Sequence, residues 1–224
     1  MSAPPESYAA VRQSVADAAR AVAREVRLLA VSKTRSAAAL RALAAQGQRA
    51  FGENYVQEAL AKQRALADLE IEWHLIGPLQ SNKCREVALH FDWLESLDRE
   101  KLIAPLDRHR PAACAPLNVL IQVNIDDEDS KSGCTPAAVA GLANAITARL
   151  RLALRGLMAI PAPHADIARR RDAFRRMHAL FEELRASHPH IDTLSMGMSD
   201  DFEMAIAEGA TEVRIGSALF GPRA

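Results

Sequence analysis

A chain of 224 residues, of which 49% are hydrophobic, is long enough to bury the core of one domain such as an α/β barrel. Lysine and arginine together number 28, as do aspartate and glutamate, so no net charge attracts the chain to nucleic acid or to an anionic membrane. The three scattered cysteines form no Cys-x-x-Cys pair, and no apolar run reaches the roughly 18 residues of a membrane span, so we expect a reduced, cytoplasmic protein without a membrane anchor.

Strands and helices are predicted in strict alternation along the chain. A polar N-terminal helix at about residues 5–24 comes first, within a segment 1–25 that precedes strand one. The eight strand-like runs are 26–32, 49–52, 72–76, 93–97, 118–124, 154–160, 193–196 and 212–215. Helix starts between them are indicated by Ser36, Ser81, Asp98 and the Thr135-Pro136 pair.

Eight strands, each followed by a helix and without a Gly/Ser-rich linker, are typical of a (β/α)8 TIM barrel. We therefore expect an α/β fold in which residues 1–224 form one barrel domain with an extra N-terminal helix. A doubly wound open sheet is the main alternative. The Gly-x-Gly-x-x-Gly fingerprint that such a sheet often carries for dinucleotides is absent after strand one, which favours the barrel.

The most informative single residue is Lys33, which follows the first apolar strand. A lysine at a strand end lies partly in the core, where desolvation disfavours the ammonium form and lowers its pKa. A neutral amine is what Schiff-base chemistry with an aldehyde requires. The alternative is a lysine that extends from the strand end to solvent, and this segment alone leaves both interpretations open.

Polar residues concentrate at the predicted C-terminal ends of the strands, where barrels carry their functional groups. These strand-end positions are Lys33, Glu53, Asn54, His74, Gly77, Pro78, Ser96, Asn124, Met158, Pro161, Met196, Gly197, Arg214, Gly216 and Ser217. A barrel core alone does not require so many polar groups there. We therefore expect a ligand site at this end of the barrel.

The loops after strands seven and eight carry the pattern of a phosphate site. Strand seven leads into the loop 195–201, and strand eight leads into Gly216-Ser217. Glycines let the backbone approach an anion, and N–H groups and serine hydroxyls can donate to its oxygens. The alternative for the first loop is a helix cap in which Asp200 and Glu203 form a capping box. The residues alone favour the phosphate site and the helix cap about equally.

Arg214 lies inside the otherwise apolar eighth strand. An arginine that points into a barrel is costly unless it is paired or hydrogen-bonded. It therefore either makes a structural salt bridge or faces a ligand. Lys33 at the end of strand one, the loops after strands seven and eight, and Arg214 together predict a pocket. Its ligand would be an aldehyde that bears a phosphate and a ring nitrogen.

An arginine-rich helix at 167–184 is the one hint of nucleic-acid binding. Its arginines are interspersed with acidic residues, and apolar residues recur at helical spacing beside them. The apolar positions are Ile167, Phe174, Met177, Phe181 and Leu184. This pattern favours an amphipathic helix with a solvated charged face.

Taken together, these motifs resemble those of the pyridoxal phosphate homeostasis proteins, which are related to the N-terminal barrel of alanine racemases. The matching blocks occur in order at residues 29–33, 51–58, 73–83, 130–133, 156–161, 195–201 and 213–216. The resemblance extends from the N-terminal helix to the C-terminus, and the cofactor positions show no departure from the pattern.

The resemblance implies that Lys33 holds pyridoxal 5′-phosphate as an internal aldimine and that Arg214 faces the pyridine nitrogen. It also implies that Ser199, Gly216 and Ser217 bind the phosphate. The expected cofactor-binding residues are Lys33, Asn54, Met196, Gly197, Ser199, Arg214, Gly216 and Ser217. No metal site is expected.

The resemblance further implies a role in vitamin B6 balance rather than an established reaction. A ring nitrogen bonded to Arg214 must accept a hydrogen bond and stays unprotonated, which makes the ring a weak electron sink. Alanine racemases add a β-domain and use a tyrosine base from the dimer partner, whereas neither Tyr8 nor Tyr55 is an evident base here. We expect a monomeric carrier or regulator of the cofactor, with apo pyridoxal phosphate-dependent enzymes as recipients.

Two alternative functions remain at this point. One is a slow amino-acid racemase or another pyridoxal phosphate-dependent enzyme of the alanine racemase type. The other is a lysine Schiff-base aldolase on the same barrel, which would act without cofactor. Lys83 and Lys131, in loops after strands three and five, are further lysines that could contact the cofactor during transfer.

Overall fold

Eight parallel strands close into a barrel in the order in which they occur along the chain. The structure is a computed structural model, which describes residues 7–126, 132–162 and 166–221. The strands are β1 (Arg27–Val31), β2 (Ala50–Glu53), β3 (Glu72–Leu75), β4 (Trp93–Leu97), β5 (Leu117–Val123), β6 (Leu152–Ala159), β7 (Thr193–Ser195) and β8 (Glu212–Ile215). The prediction of a (β/α)8 barrel is confirmed, and the doubly wound alternative is wrong.

A helix precedes β1, and a helix follows each strand. The helices are α1 (Tyr8–Ala21), α2 (Ala37–Ala44), α3 (Val56–Ala65), α4 (Cys84–His90), α5 (Ile103–His109), α6 (Val139–Thr147), α7 (Ile167–Ser187), α8 (Phe202–Ala207) and α9 (Ser217–Phe220). The expected extra N-terminal helix is therefore present. It ends earlier than predicted, because Val22 leaves the helical conformation and Ala23 has a φ of 48°.

The predicted helix starts are confirmed at three of the four positions. The Ser36 hydroxyl accepts from the Ala39 N–H, and Pro136 occupies the first turn after Thr135. Ser81 is the first residue of a 3₁₀ turn that leads directly into α4, although no side chain caps this turn. The start expected at Asp98 is wrong, because its carboxylate pairs with the neighbouring Arg99 at 2.5 Å and the chain turns only two residues later.

Helix α7 is amphipathic, as the sequence predicts. Four of the five expected apolar residues are buried, whereas Ile167 is 58% exposed because it lies at the very start of the helix. Its arginines face acidic side chains: Arg175 is 3.1 Å from Glu208, and Arg176 is 2.9 Å from Asp126. The charged face is therefore occupied by ion pairs. No helix in the described ranges is long and apolar enough to cross a membrane.

The main hydrophobic core lies between the outer faces of the strands and the helices that cover them. A small second cluster of Trp93, Leu120 and Met158 lies apart from it, on β4, β5 and β6. His74 stacks on the Trp93 ring at a centroid distance of 5.1 Å. Charged residues line much of the remaining barrel interior, and this polar interior supports the site described next.

Candidate functional site

A cavity of about 450 Å³ opens at the C-terminal ends of the strands. Its lining consists of Val31, Lys33, Arg35, Asn54, Ile76, Gly77, Pro78, Gln122, Ser132, Ile160, Met198, Ser199, Asp200, Arg214, Gly216, Ser217 and Gly221. Six of the eight residues expected to bind a cofactor are among them. The volume lies within the range of small-molecule sites.

Lys33 reaches the cavity because side chains alternate along a strand. Val31 and Lys33 both line the cavity, whereas Ser32 between them points away from it and hydrogen-bonds to Glu53. Lys33 is half-buried. The strand end thus directs this lysine toward the other lining residues rather than out along the barrel surface.

Arg214 lies at the floor of the cavity and is only 4% exposed. One terminal nitrogen donates to the Ser195 hydroxyl at 2.7 Å, and the other donates to the Ala159 carbonyl at 2.7 Å. These bonds use two of its five N–H donors. Burial lowers the pKa of Arg214, with the charges of Glu95 and Glu212 opposing that effect. The guanidinium is thus held by neutral groups while it faces the cavity.

Below Arg214, a chain of hydrogen bonds runs through the barrel interior. The Ser195 hydroxyl donates to Glu95 Oε2 at 2.8 Å, and Glu95 Oε1 lies 2.6 Å from His74 Nδ1. The opposite ring nitrogen, Nε2, lies 2.7 Å from Glu72 Oε1. Glu72 in turn pairs with Arg27. The position of Arg214 is therefore linked to groups at the other end of the barrel.

Two buried carboxyls beneath Arg214 differ in protonation. Although burial opposes ionisation, the hydrogen bond from His74 and the charges of His74 and Arg214 lower the pKa of Glu95. Burial, with the Glu95 charge as the second cause, raises the pKa of Glu212 to about 7. Among the described residues, neither Glu212 oxygen has a hydrogen-bond partner, and the Arg27 Nε lies 3.8 Å away.

His74, Glu95 and Glu212 bring possible metal-ligand atoms within 4.8 Å of one another. Both ring nitrogens of His74 already face carboxylates, and the Arg27 guanidinium lies beside the group. A cation there would displace these contacts and meet a neighbouring positive charge. The arrangement therefore favours a bound proton over a metal ion.

The loops after β7 and β8 bring two hydroxyls to the cavity. Ser199 and Ser217 both line it, and the Ala218 N–H is directed at the Ser199 hydroxyl at 3.5 Å. The capping-box alternative is wrong: α8 begins after Asp201, with no side-chain cap. Instead, the Asp201 carboxylate turns back onto its own loop and accepts from the Met198 N–H at 2.7 Å.

Met196 and Gly197, also expected to bind the cofactor, are not among the lining residues. Met196 is fully buried in the main core. Gly197 has a φ of 94°, and a Cβ there would lie 2.5 Å from the Ala205 Cβ, so only glycine lets α8 pack this closely. Its carbonyl accepts from the Arg214 N–H at 3.0 Å. The two residues support the loop, and their contact with a cofactor stays a prediction.

Asn54 lines the cavity beside the loop that follows β3. A Cβ at Gly77 would lie 2.2 Å from the Asn54 carbonyl oxygen, so the close approach of these two loops requires glycine. The Ser96 hydroxyl donates to the Gly77 carbonyl at 2.6 Å. Ser96 thus stabilises this loop from below and does not line the cavity.

Some lining residues were missed by the sequence analysis. They are Val31, Arg35, Ile76, Gln122, Ser132, Ile160, Met198 and Gly221. Gln122 could have been found, because it shares the face of β5 with the strand-end Asn124. Conversely, His74 and Met158 lie in the barrel interior instead of on the lining. Lys83 is also off the lining and lies 3.7 Å from Glu86, and Lys131 falls outside the described residues.

Comparison with known proteins decides the family. The alanine racemase N-terminal domain model matches residues 7–224. A pyridoxal phosphate homeostasis protein of Pseudomonas aeruginosa is 54% identical over 226 residues, which cover 100% of this chain and 97% of the relative. The chain belongs to the pyridoxal phosphate homeostasis protein family.

Two further relatives support this assignment. The homeostasis protein of Escherichia coli K12 is 52% identical over 223 residues, covering 97% of this chain and 95% of the relative. The structure of PipY from Synechococcus elongatus with pyridoxal phosphate bound is 38% identical and has a TM-score of 0.81. The match covers 92% of this chain and 100% of PipY. The same barrel therefore holds this cofactor in a relative.

The raised pKa of Glu212 predicts a pH dependence of stability. The folded chain holds this proton to about pH 7 and the unfolded chain to about pH 4.5, so the free energy of unfolding falls as pH rises through that window. Glu212→Gln removes the titration. Relative to wild type, the variant should gain on the order of 1–3 kcal/mol of stability between pH 5 and pH 8.

Urea denaturation at the two pH values measures this difference. Glu70→Gln, at an exposed position, is the control and should show the same difference from wild type at both pH values. A Glu212→Gln variant whose stability relative to wild type is equal at pH 5 and pH 8 would contradict the prediction.

Proposed function

We propose that this chain binds pyridoxal 5′-phosphate in the cavity, holds it covalently on Lys33 as a Schiff base, and serves vitamin B6 homeostasis as a carrier or regulator. One observation carries the proposal: Lys33, Arg214 and the hydroxyls of Ser199 and Ser217 line the same cavity. The cofactor bound to PipY and the names of the relatives in Pseudomonas aeruginosa and Escherichia coli support it.

The charge of the lining suits a phosphorylated aldehyde. Arg35 and Arg214 are cationic, and Asp200 is the one acidic residue among the lining residues described. A phosphate dianion is therefore attracted into the cavity, and hydroxyl donors that contact a charged acceptor make stronger bonds than those to a neutral one. The residues present fit the cofactor that the family is named for.

Within this proposal, Lys33 supplies the covalent link. Its amine forms a C=N bond with the aldehyde carbon, and the aldehyde oxygen leaves as water, so no oxidant or reductant is needed. Arg214 donates to the pyridine nitrogen. Because arginine cannot give up its proton, the nitrogen accepts a hydrogen bond and stays unprotonated.

An unprotonated ring is a weak electron sink, which disfavours amino-acid chemistry and favours a carrier over a racemase. Racemisation also needs a second base at the cavity. Tyr55 is 61% exposed and off the lining, and Tyr8 is buried against Gln48, to which its hydroxyl donates at 3.2 Å. Neither tyrosine is positioned as that base, so the racemase alternative lacks support among the described residues.

The proposal includes four further expectations. The chain acts as a monomer, residues 1–224 form one domain, and apo pyridoxal phosphate-dependent enzymes receive the cofactor. The protein works in the cytoplasm, an expectation supported by free thiols at Cys84, Cys114 and Cys134.

Borohydride reduction tests the link to Lys33. Protein incubated with equimolar pyridoxal 5′-phosphate should be yellow, and reduction should fix a pyridoxyl group on Lys33, as mapped by mass spectrometry of peptides. Lys33→Ala should lose the visible band and keep its circular dichroism spectrum, because only a side chain at the cavity is removed. An adduct found mainly on Lys83 or Lys131 would overturn the assignment.

The phosphate contacts are tested by Ser199→Ala and Ser217→Ala. Each change removes one hydroxyl donor to a charged acceptor, a loss of roughly 1.5–3 kcal/mol, so the Kd for pyridoxal 5′-phosphate should rise roughly tenfold or more. The Kd for unphosphorylated pyridoxal should stay within about twofold of wild type. Equal losses for both ligands would mean that these serines only support the loops.

A further inference from the structure

A buried lysine lies behind the half-buried Lys33. Lys62 projects from α3 and is 6% exposed. Its amine lies 2.8 Å from the Ser32 carbonyl oxygen, 2.7 Å from Glu53 Oε1 and 2.7 Å from Glu58 Oε1. The three contacts match the three donors of an ammonium group. Lys62 does not line the cavity, so its role is separate from that of a ligand contact.

The same contacts reach the backbone on both sides of Lys33. Lys62 holds the Ser32 carbonyl, and Glu53 accepts the Ser32 hydroxyl. Glu58 Oε1 accepts the Thr34 N–H at 2.6 Å. The residues before and after Lys33 are thereby tied to one charged cluster, which consists of Glu53, Glu58 and Lys62.

Thr34 adopts a conformation that needs such support. Its φ is 63°, in the left-handed region, where a β-branched residue is strained. Strain of this kind persists only where the surroundings hold the backbone in place. Glu58 supplies that hold through the Thr34 N–H, and Lys62 in turn fixes Glu58.

We propose that the cluster of Glu53, Glu58 and Lys62 is a positioning device that fixes the backbone around Lys33 and so directs its amine to the aldehyde of the bound cofactor. This inference rests on the proposed function. None of the three is among the described residues that line the cavity, so they act through Lys33. Burial raises the pKa of Glu53, which the bonds from Lys62 and Ser32 oppose, and the cluster is therefore maintained by mutual contacts.

A purely structural connection of β1, β2 and α3 would predict a different outcome from a positioning device. Loss of a structural connection lowers the affinity of the cavity for every ligand. Loss of positioning lowers only the rate of the covalent step, because the proposed phosphate and ring contacts lie on the loops after β7 and β8 and on Arg214. A ligand that lacks the aldehyde, 4′-deoxypyridoxine 5′-phosphate, distinguishes the structural role from the positioning role, because it can bind in the cavity but cannot react with Lys33.

The experiment compares Glu58→Ala with wild type in the full-length protein. The rate at which the visible band forms on addition of pyridoxal 5′-phosphate should fall about tenfold or more, because a displacement of about 1 Å costs reacting groups up to roughly 10²-fold. The Kd for 4′-deoxypyridoxine 5′-phosphate should stay within about twofold of wild type. Glu58→Gln keeps an oxygen acceptor for the Thr34 N–H and should recover most of the rate.

Gln57→Ala, at an exposed position on the same helix, is the matched control and should leave both values unchanged. Lys62→Met removes the central amine of the cluster. It should likewise slow band formation with pyridoxal 5′-phosphate and leave the Kd for 4′-deoxypyridoxine 5′-phosphate nearly unchanged. The inference would be overturned if Glu58→Ala impaired the reaction with pyridoxal 5′-phosphate and the binding of 4′-deoxypyridoxine 5′-phosphate equally, or if it changed neither. Absence of any Lys33 adduct in wild type would instead overturn the proposed function.

Discussion

The burial of one guanidinium group inside the barrel is the constraint on which the rest of this site depends. Arg214 cannot lose its proton, so the surrounding residues must supply acceptors for its donors. Ser195 and the Ala159 carbonyl do so directly, and Glu95 holds Ser195 in turn. The polar barrel interior, unusual among barrels filled with branched apolar side chains, follows from this requirement.

The same constraint gives the cavity its chemical character. Arginine only donates hydrogen bonds, so it stabilises a pyridine nitrogen that is unprotonated and accepts one. An unprotonated pyridine ring is the weaker electron sink. In the proposed function, Lys33, which follows the neighbouring strand β1, offers a covalent link that water can reverse. Reversible attachment without ring activation would suit storage and delivery of a cofactor more than its use.

Much of the fold and part of the site could be predicted from the sequence, because both depend on local patterns. Lys33 and Arg214 are recognisable from one strand each. The link from Ser195 to Glu95 joins residues 100 positions apart, and no local pattern indicates it. The burial of Met196 in the main core depends on packing between elements, which the strand pattern alone does not show. The burial of Lys62 is explained by its contacts with two carboxylates, and one of these, Glu53, lies on a different element of the fold.

The most direct test compares transfer of the cofactor to an apo enzyme with racemisation of amino acids by the loaded protein. Protein loaded with pyridoxal 5′-phosphate is mixed with an apo pyridoxal phosphate-dependent enzyme, and the visible band and the enzyme activity are followed together. The account predicts that the enzyme gains activity as this protein loses its band, and that amino acids added to the loaded protein alone are not racemised. Steady racemisation near the typical kcat of about 10 s⁻¹, without transfer to the apo enzyme, would contradict it.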